Sequence, residues 1–196
     1  MQALTSIATL VIQTLATVYL SFVVLRFLLQ LARADFYNPI SQSVVKITNP
    51  VLMPLRKIIP GFFGLDIACI VLGILVGFIA IELNVLAVYQ HLFNPLIALA
   101  WAAIGLLSFT VTIIFWSVIV MVIASFIAPG SYHPALQLIN QLLEPIRAPI
   151  YKLIPPMGGF DLSPIFILLF VKIIDILLQS LAGQVGLLPQ LVPGYW

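Results

Sequence analysis

Of the 196 residues, 63% are hydrophobic and only 7% are charged. A typical soluble domain is about 25% charged, and no water-soluble packing of this length hides so much apolar surface, so the solvent is a bilayer. The formal net charge of +2 is too small to suggest direct nucleic-acid binding, and the single cysteine, Cys69, excludes an intrachain disulfide.

A spanning helix needs about 20 mainly apolar residues. The first predicted span runs from about Ser6 to Leu31, with Arg26 near its end and Arg33 just beyond. No Lys or Arg precedes it, so it reads as a retained helix rather than a cleaved signal. Thr5, Thr9, Gln13, Thr17 and Ser21 recur every four residues and form one polar stripe on it. The second span follows Asp66 to about Tyr89. It carries Glu82 and a Gly-x-x-x-Gly at Gly73 and Gly77, which permits close helix approach. Whether these small and polar faces build the bundle or a homo-oligomer is left open. Asn94-Pro95 marks a turn. The third span lies at about Leu96 to Ala128 and is stopped by Pro129-Gly130; the fourth runs from about Leu162 to Ala182 and contains Lys172 and Asp175.

Arg33, Lys46, Arg56 and Lys57 lie between spans one and two, and Arg147 and Lys152 between spans three and four. The other connections have no cation. Because translocated loops are poor in Lys and Arg, the two basic loops are expected in the cytoplasm and both termini outside, in a bacterial inner membrane.

Shifting the chain by 95 positions lays Tyr37–Asp66 on Tyr132–Asp161 without a gap, and ten of the thirty positions are identical. Chance would give about two at ordinary residue frequencies. The matches include Pro39/Pro134, Pro50/Pro145, Pro54/Pro149, Lys57/Lys152, Ile59/Ile154, Pro60/Pro155, Gly64/Gly159 and Asp66/Asp161. The period encloses two spans, so the units, residues 1–92 and 96–188, are parallel repeats about an axis along the membrane normal. The predicted fold is an all-α membrane protein of four transmembrane helices, each repeat a helix, an amphipathic interfacial elbow and a helix.

In the first elbow Ile40, Val44, Ile47, Val51, Leu55 and Ile58 recur at helical spacing, and Ala135, Ile139, Leu142, Ile146, Ile150 and Leu153 repeat the stripe. Interior prolines remove hydrogen bonds and clash with the preceding turn. Each elbow is therefore expected as two short helices, with Pro39 and Pro50, or Pro134 and Pro145, in their first turns. Arg56, Lys57, Arg147 and Lys152 would then reach anionic head groups while the apolar stripe lies in the acyl boundary.

The stretch from Glu144 to Pro164 reads Glu-Pro-Ile-Arg-Ala-Pro-Ile-Tyr-Lys-Leu-Ile-Pro-Pro-Met-Gly-Gly-Phe-Asp-Leu-Ser-Pro. With its basic, Pro-rich run into Pro-Pro, Gly-Gly and Asp-Leu-Ser-Pro, it resembles the YggT family, also called YlmG-like, of bacteria and plastids. Two copies in four spans is similar to the proteobacterial form, so the resemblance covers nearly the whole chain. The first copy, Pro60 to Ala68, lacks the second Pro, the paired Gly and the Ser-Pro. On the resemblance, copy two is the better candidate for motif binding and copy one reads as mainly structural. Members are similar to plastid factors for cytochrome b6 haem attachment and nucleoid organisation, and bacterial members are linked with division and osmotic tolerance. The resemblance thus implies a membrane assembly or scaffold factor.

Asp66 and Asp161 each precede a span, where a carboxylate caps the positive helix end; Ser163 suits the same role, with Pro164 in the first turn. The sharper alternative makes Asp161 a docking residue or a partner of Arg147 or Lys152. Glu82 is expected to be exposed near the outer interface. Lys172 falls near the midplane with Asp175 three residues on, on the same face, where the two can pair. Those two and Arg26 are the residues a transport pathway would use. His91 and His133 fall at opposite faces and no Cys joins them, so no cofactor or metal site is expected. No nucleophile triad or phosphate loop appears, so no enzyme activity is expected. Two functions follow: a scaffold whose elbows engage anionic lipid and a membrane or cytoplasmic protein partner, or a small transporter or channel using the intramembrane charges.

Overall fold

A computed structural model of the chain describes residues 2–62, 64–153 and 161–195. Among these residues six helices follow one another: α1 (Gln2–Leu31), α2 (Pro39–Ile58), α3 (Ile67–Tyr89), α4 (Pro95–Ile127), α5 (Pro134–Leu153) and α6 (Ser163–Gln184), with a short 3-10 turn at Pro189–Leu191. Four of them, α1, α3, α4 and α6, are long and apolar enough to cross a membrane.

Local chemistry sets the boundaries. Asn38 caps α2 by accepting from Ile40 N with Pro39 in the first turn, and Asn94 caps α4 by accepting from Leu96 N with Pro95 in the same place. The α3 helix ends at Gln90 in the left-handed region, φ 59°. Within each repeat the two spans pack together, α1 on α3 and α4 on α6, and the α3–α4 contact joins the repeats. One core gathers Leu20, Val24 and Leu28 with Phe109, Val118, Leu143, Ile167 and Val171, so residues of both repeats fill it.

The elbows depart from expectation. Each is one continuous helix, with Pro50 and Pro54 inside α2 and Pro145 and Pro149 inside α5. All four prolines lie on exposed faces. The carbonyls they deprive of a donor are those four residues back, at Lys46, Pro50, Gln141 and Pro145, none of which is buried, so no freed carbonyl is enclosed in the core. The apolar stripe of α2 is also divided. Ser41, Val44, Thr48 and Leu52 are buried against the spans. Ile40, Ile47, Val51 and Ile58 stay exposed along the outer edge. Half of the stripe thus seats the helix on the bundle and half is left for the surrounding apolar phase.

The chain beyond α6 turns back into the bundle. Leu187, Leu191 and Val192 are buried against Ile81, Val85, Trp101 and Ala102. Gly105 leaves room for Val192, and Gly194, at φ +71°, faces Phe109, whose Cδ2 would stand 2.6 Å from an added Cβ. Phe109 lies 14 residues from Pro95, so the tail descends about 21 Å along α4. Irregular backbone at that depth is tolerated when protein surrounds it and answers its polar groups. Here Gln13 Nε2 donates to Gln190 O (2.9 Å), Asn84 Nδ2 to Leu191 O (3.2 Å) and Trp101 Nε1 to Val185 O (3.0 Å).

Candidate functional site

The functional chemistry gathers where each elbow meets its spans. At the end of α2, Arg56 Nη2 lies 2.5 Å from Asp66 Oδ2 and donates also to Gln30 Oε1 at 3.0 Å. Asp66 is buried, and its other oxygen accepts from Cys69 N at 3.3 Å, capping α3. Asp66 thus caps α3, as expected, and also pairs with Arg56, a partner expected only for Asp161.

The second elbow reaches the same end with other residues. Asp161 Oδ2 accepts from Tyr151 Oη (2.6 Å) and Arg147 Nη2 (3.2 Å), while Oδ1 accepts from Ser163 N (2.8 Å). Arg147 also donates to Tyr151 Oη and stacks over its ring, 5.0 Å from the centroid. Burial pushes the Asp161 carboxyl up, but the bonds from Ser163 and Tyr151 and the Arg147 charge outweigh it and hold the group below its usual 3.8. Ser163 does not act as a cap: it is the first residue of α6, whose cap position, Leu162, makes no side-chain bond. The motif residues Ile154, Pro155, Pro156, Met157, Gly158, Gly159 and Phe160 lie outside the described residues.

A cleft opens beneath each elbow, between it and the C-terminal end of the preceding span. The first, about 370 Å³, is lined by Arg26, Gln30, Arg33, Ser41 and Arg56 with apolar neighbours. The second, about 720 Å³, includes Met121, Ser125, Ala128 and Leu136, with Arg147 and Asp161 at its side. Nine of the ten residues lining the first have their counterpart, 95 positions on, in the lining of the second. The clefts are therefore equivalent by pseudo-symmetry and opposite in chemistry.

The other predicted residues are dispersed. Lys57 and Lys152 are exposed at the elbow ends, free of the ion pairs. Arg26 belongs to the first cleft. Lys172 Nζ pairs with Asp175 at 2.8 Å, but its side chain is 65% exposed, so it points away from the bundle interior and not toward Arg26. Glu82 is not freely exposed as expected. It is half-buried and accepts from Phe93 N at 3.0 Å, tying down the turn before α4. Gly73 and Gly77 are buried against Leu106 and Ala102 of α4, so their packing is spent inside the subunit. Among the described residues no three of His, Cys, Asp and Glu come together as a metal site. Sequence reasoning missed Tyr151, Gln30, Asn84, Trp101 and the tail carbonyls they or their neighbours meet. The signal available was weak: isolated polar side chains within apolar runs.

Comparison with known proteins agrees with the two-unit architecture. The CCB3/YggT family matches residues 5–87 and again 100–182. The matches begin 95 residues apart (5 to 100) and end 95 apart (87 to 182). Over 193 residues the chain is 45% identical to uncharacterized protein PA0392 of Pseudomonas aeruginosa, covering 97% of this chain and 98% of that one. It is 35% identical to uncharacterized protein YggT of Escherichia coli K12 over 192 residues, 96% of each chain. It is 37% identical to an uncharacterized protein in the proC 3' region of Vibrio alginolyticus, over 89% of this chain and 94% of that one. No solved structure matches the chain.

Proposed function

The chain belongs to the CCB3/YggT family, and from that premise we propose that it is a non-enzymatic scaffold of the bacterial cytoplasmic membrane. Its two elbows lie along the cytoplasmic surface, hold anionic head groups and present their outer faces to a protein partner. The orientation follows from the cations: six lie between spans one and two or three and four, and none lies in the N-terminus, the Asn94 turn or the tail.

The observation that carries the reading is the pair of clamps, Arg56–Asp66 and Arg147–Asp161. Each locks an elbow to the first turn of the following span, so α2 and α5 are fixed ledges rather than gates. Their exposed faces carry Lys46, Lys57 and Lys152 beside unspent apolar side chains such as Ile47, Val51 and Leu153. Several polar groups in the spans are engaged: Gln13, Asn84 and Trp101 hold the tail, Glu82 holds a turn and Lys172 pairs outward, while Arg26 lies at the elbow end of α1. Among the described residues that leaves no row of ionisable side chains along an interior path for a transporter to use.

Crosslinking in native membranes tests the scaffold. A photoreactive residue in place of Lys57 or Lys152 should trap one protein, and the product should disappear when the elbow lysines are replaced by glutamate. Ion or solute flux in liposomes that depends on Lys172 or Asp175 would replace this reading with transport. An outward-facing elbow in a cysteine-accessibility scan would overturn the orientation.

A further inference from the structure

We propose that the cleft beneath the first elbow is a single phosphate-binding site, built from Arg26, Arg33, Arg56, Gln30 and Ser41. The inference rests on the reading of α2 as a membrane-surface elbow and names what that elbow holds.

Three guanidinium groups line one cleft of about 370 Å³. Arg56 is neutralised by Asp66. Arg26 and Arg33 have no hydrogen-bond or ion-pair partner among the described residues, so the cleft keeps two uncompensated positive charges. Two like charges held in a half-apolar recess are unfavourable unless an anion joins them. Arg26 stands five residues inside the end of α1, about 8 Å, near enough for its long side chain to reach the head-group zone at that end.

The polar groups are set as donors. Gln30 gives its carbonyl oxygen to Arg56, which leaves its amide hydrogens free. The Ser41 hydroxyl is on a residue only 5% exposed and has no partner. Nearby Asp35 turns its carboxylate to Tyr37 N and is not in the lining. Guanidinium forks, an amide and a hydroxyl match the oxygens of a phosphate. Arg33 also sits at φ 52°, just past the end of α1, where glycine is the least strained residue. A long cationic side chain is kept there at the expense of backbone comfort.

The second cleft supplies the internal contrast. Arg26, Gln30, Arg33, Ser41 and Arg56 correspond there to Met121, Ser125, Ala128, Leu136 and Tyr151. Its one lining cation, Arg147, is paired with Asp161. The same backbone recess is thus charged in one repeat and neutral in the other, which backbone packing alone does not require. Basic recesses between membrane helices on the cytoplasmic side are where anionic phospholipid head groups lodge. A free phosphate ion presents the same chemistry.

The test uses the full chain purified in uncharged detergent. Phosphatidylglycerol, phosphatidylcholine and inorganic phosphate are added in separate arms; native mass spectrometry counts bound lipid and thermal shift follows each titration. One phosphatidylglycerol or one phosphate should bind per chain, and phosphatidylcholine, whose phosphate is masked by its own cation, should bind more weakly. Arg26→Gln and Arg33→Gln should each weaken binding about tenfold. Displacement of the lipid by inorganic phosphate assigns the site to the free ion, and resistance to displacement assigns it to the head group; either supports the phosphate site. Arg33 is exposed, so its variant keeps the fold if Arg26→Gln does not. Grafting Met121→Arg with Ala128→Arg should raise the stoichiometry from one to two. Binding that ignores lipid charge, or that survives both glutamine variants unchanged, overturns the proposal, as does a graft that folds and binds no second phosphate. Loss of the elbow crosslink with phosphate binding intact removes the scaffold reading alone. An intact crosslink without phosphate binding removes only the cleft.

Discussion

Arg56 and Tyr151 occupy equivalent positions in the two repeats, and each reaches the equivalent aspartate. Arg56 Nη2 is 2.5 Å from Asp66, and Tyr151 Oη is 2.6 Å from Asp161. In the second repeat the guanidinium has moved one helical turn back, to Arg147, and meets its aspartate across the tyrosine ring. The clamp is kept while its charge migrates. What the fold requires at this corner is a donor on the aspartate, and a residue one turn earlier on the same helix face can supply the cation.

The two clamps should therefore fail unequally. Asp66 is 5% exposed at its side chain, against 30% for Asp161. Arg56→Met strands a buried carboxylate and should lower stability by about 2–3 kcal/mol. Arg147→Met leaves Tyr151 and Ser163 in place and should cost about 1 kcal/mol, as should Tyr151→Phe. Thermal unfolding in detergent checks the order; equal losses would show that burial does not set it.

Acid should act through Asp161. Its folded carboxyl is held below its usual value of 3.8, so the unfolded chain takes up the proton first as pH falls. The group's contribution is fully present above that value and is lost as pH drops through the lower, folded one. Between pH 7 and 5 the wild type and Asp161→Asn should unfold with a constant difference. Below about 4 the wild type should lose stability faster and the gap should close. Parallel unfolding profiles down to pH 3 would exclude Asp161 as the titrating group.

How much of this was legible follows from which groups carry information in one dimension. The spans were readable because length and hydropathy are local, and the repeat because Pro50/Pro145, Pro54/Pro149 and Asp66/Asp161 mark backbone punctuation. The elbow prolines misled. Their cost depends on which face holds the freed carbonyls, and the exposed face removes the reason to break the helix. The tail was unreadable, because Gln13, Asn84 and Trp101 donate to main-chain carbonyls that any residue supplies. Arg26 was visible as an intramembrane charge, but its neighbours Arg33 and Arg56 come from the α1 end and from α2, which only the fold brings together.

The tail should be displaced by filling the space it uses. A Cβ at Gly105 would overlap Val192, whose side chain is itself buried. Gly105→Ala should cost about 1–3 kcal/mol through overpacking, offset in part by better helix propensity. A cysteine placed at Leu191, 4% exposed, should resist a membrane-impermeant thiol reagent in the wild type and react in the Gly105→Ala background. Equal reaction in both backgrounds would mean the tail is not seated between α3 and α4.

Gly73 and Gly77 separate the bundle from an oligomer as the use of the small-residue face. An added Cβ at Gly73 would meet the Leu106 methyls at 2.8 and 2.9 Å, the far ends of a side chain that can rotate. At Gly77 it would meet Ala102 Cβ at 3.3 Å and Cα at 3.5 Å, which move only with the α4 backbone. Gly73→Ala should therefore stay within about 1 kcal/mol of the wild type, with the helix-propensity gain balancing the shift of Leu106. Gly77→Leu must push α3 from α4 at the contact joining the repeats, and should cost more than about 2 kcal/mol. The two helices belong to one chain, so this loss should not depend on protein concentration. A Gly77→Leu chain that keeps its unfolding temperature but shifts from oligomer to monomer on dilution would instead place the glycines at a subunit interface.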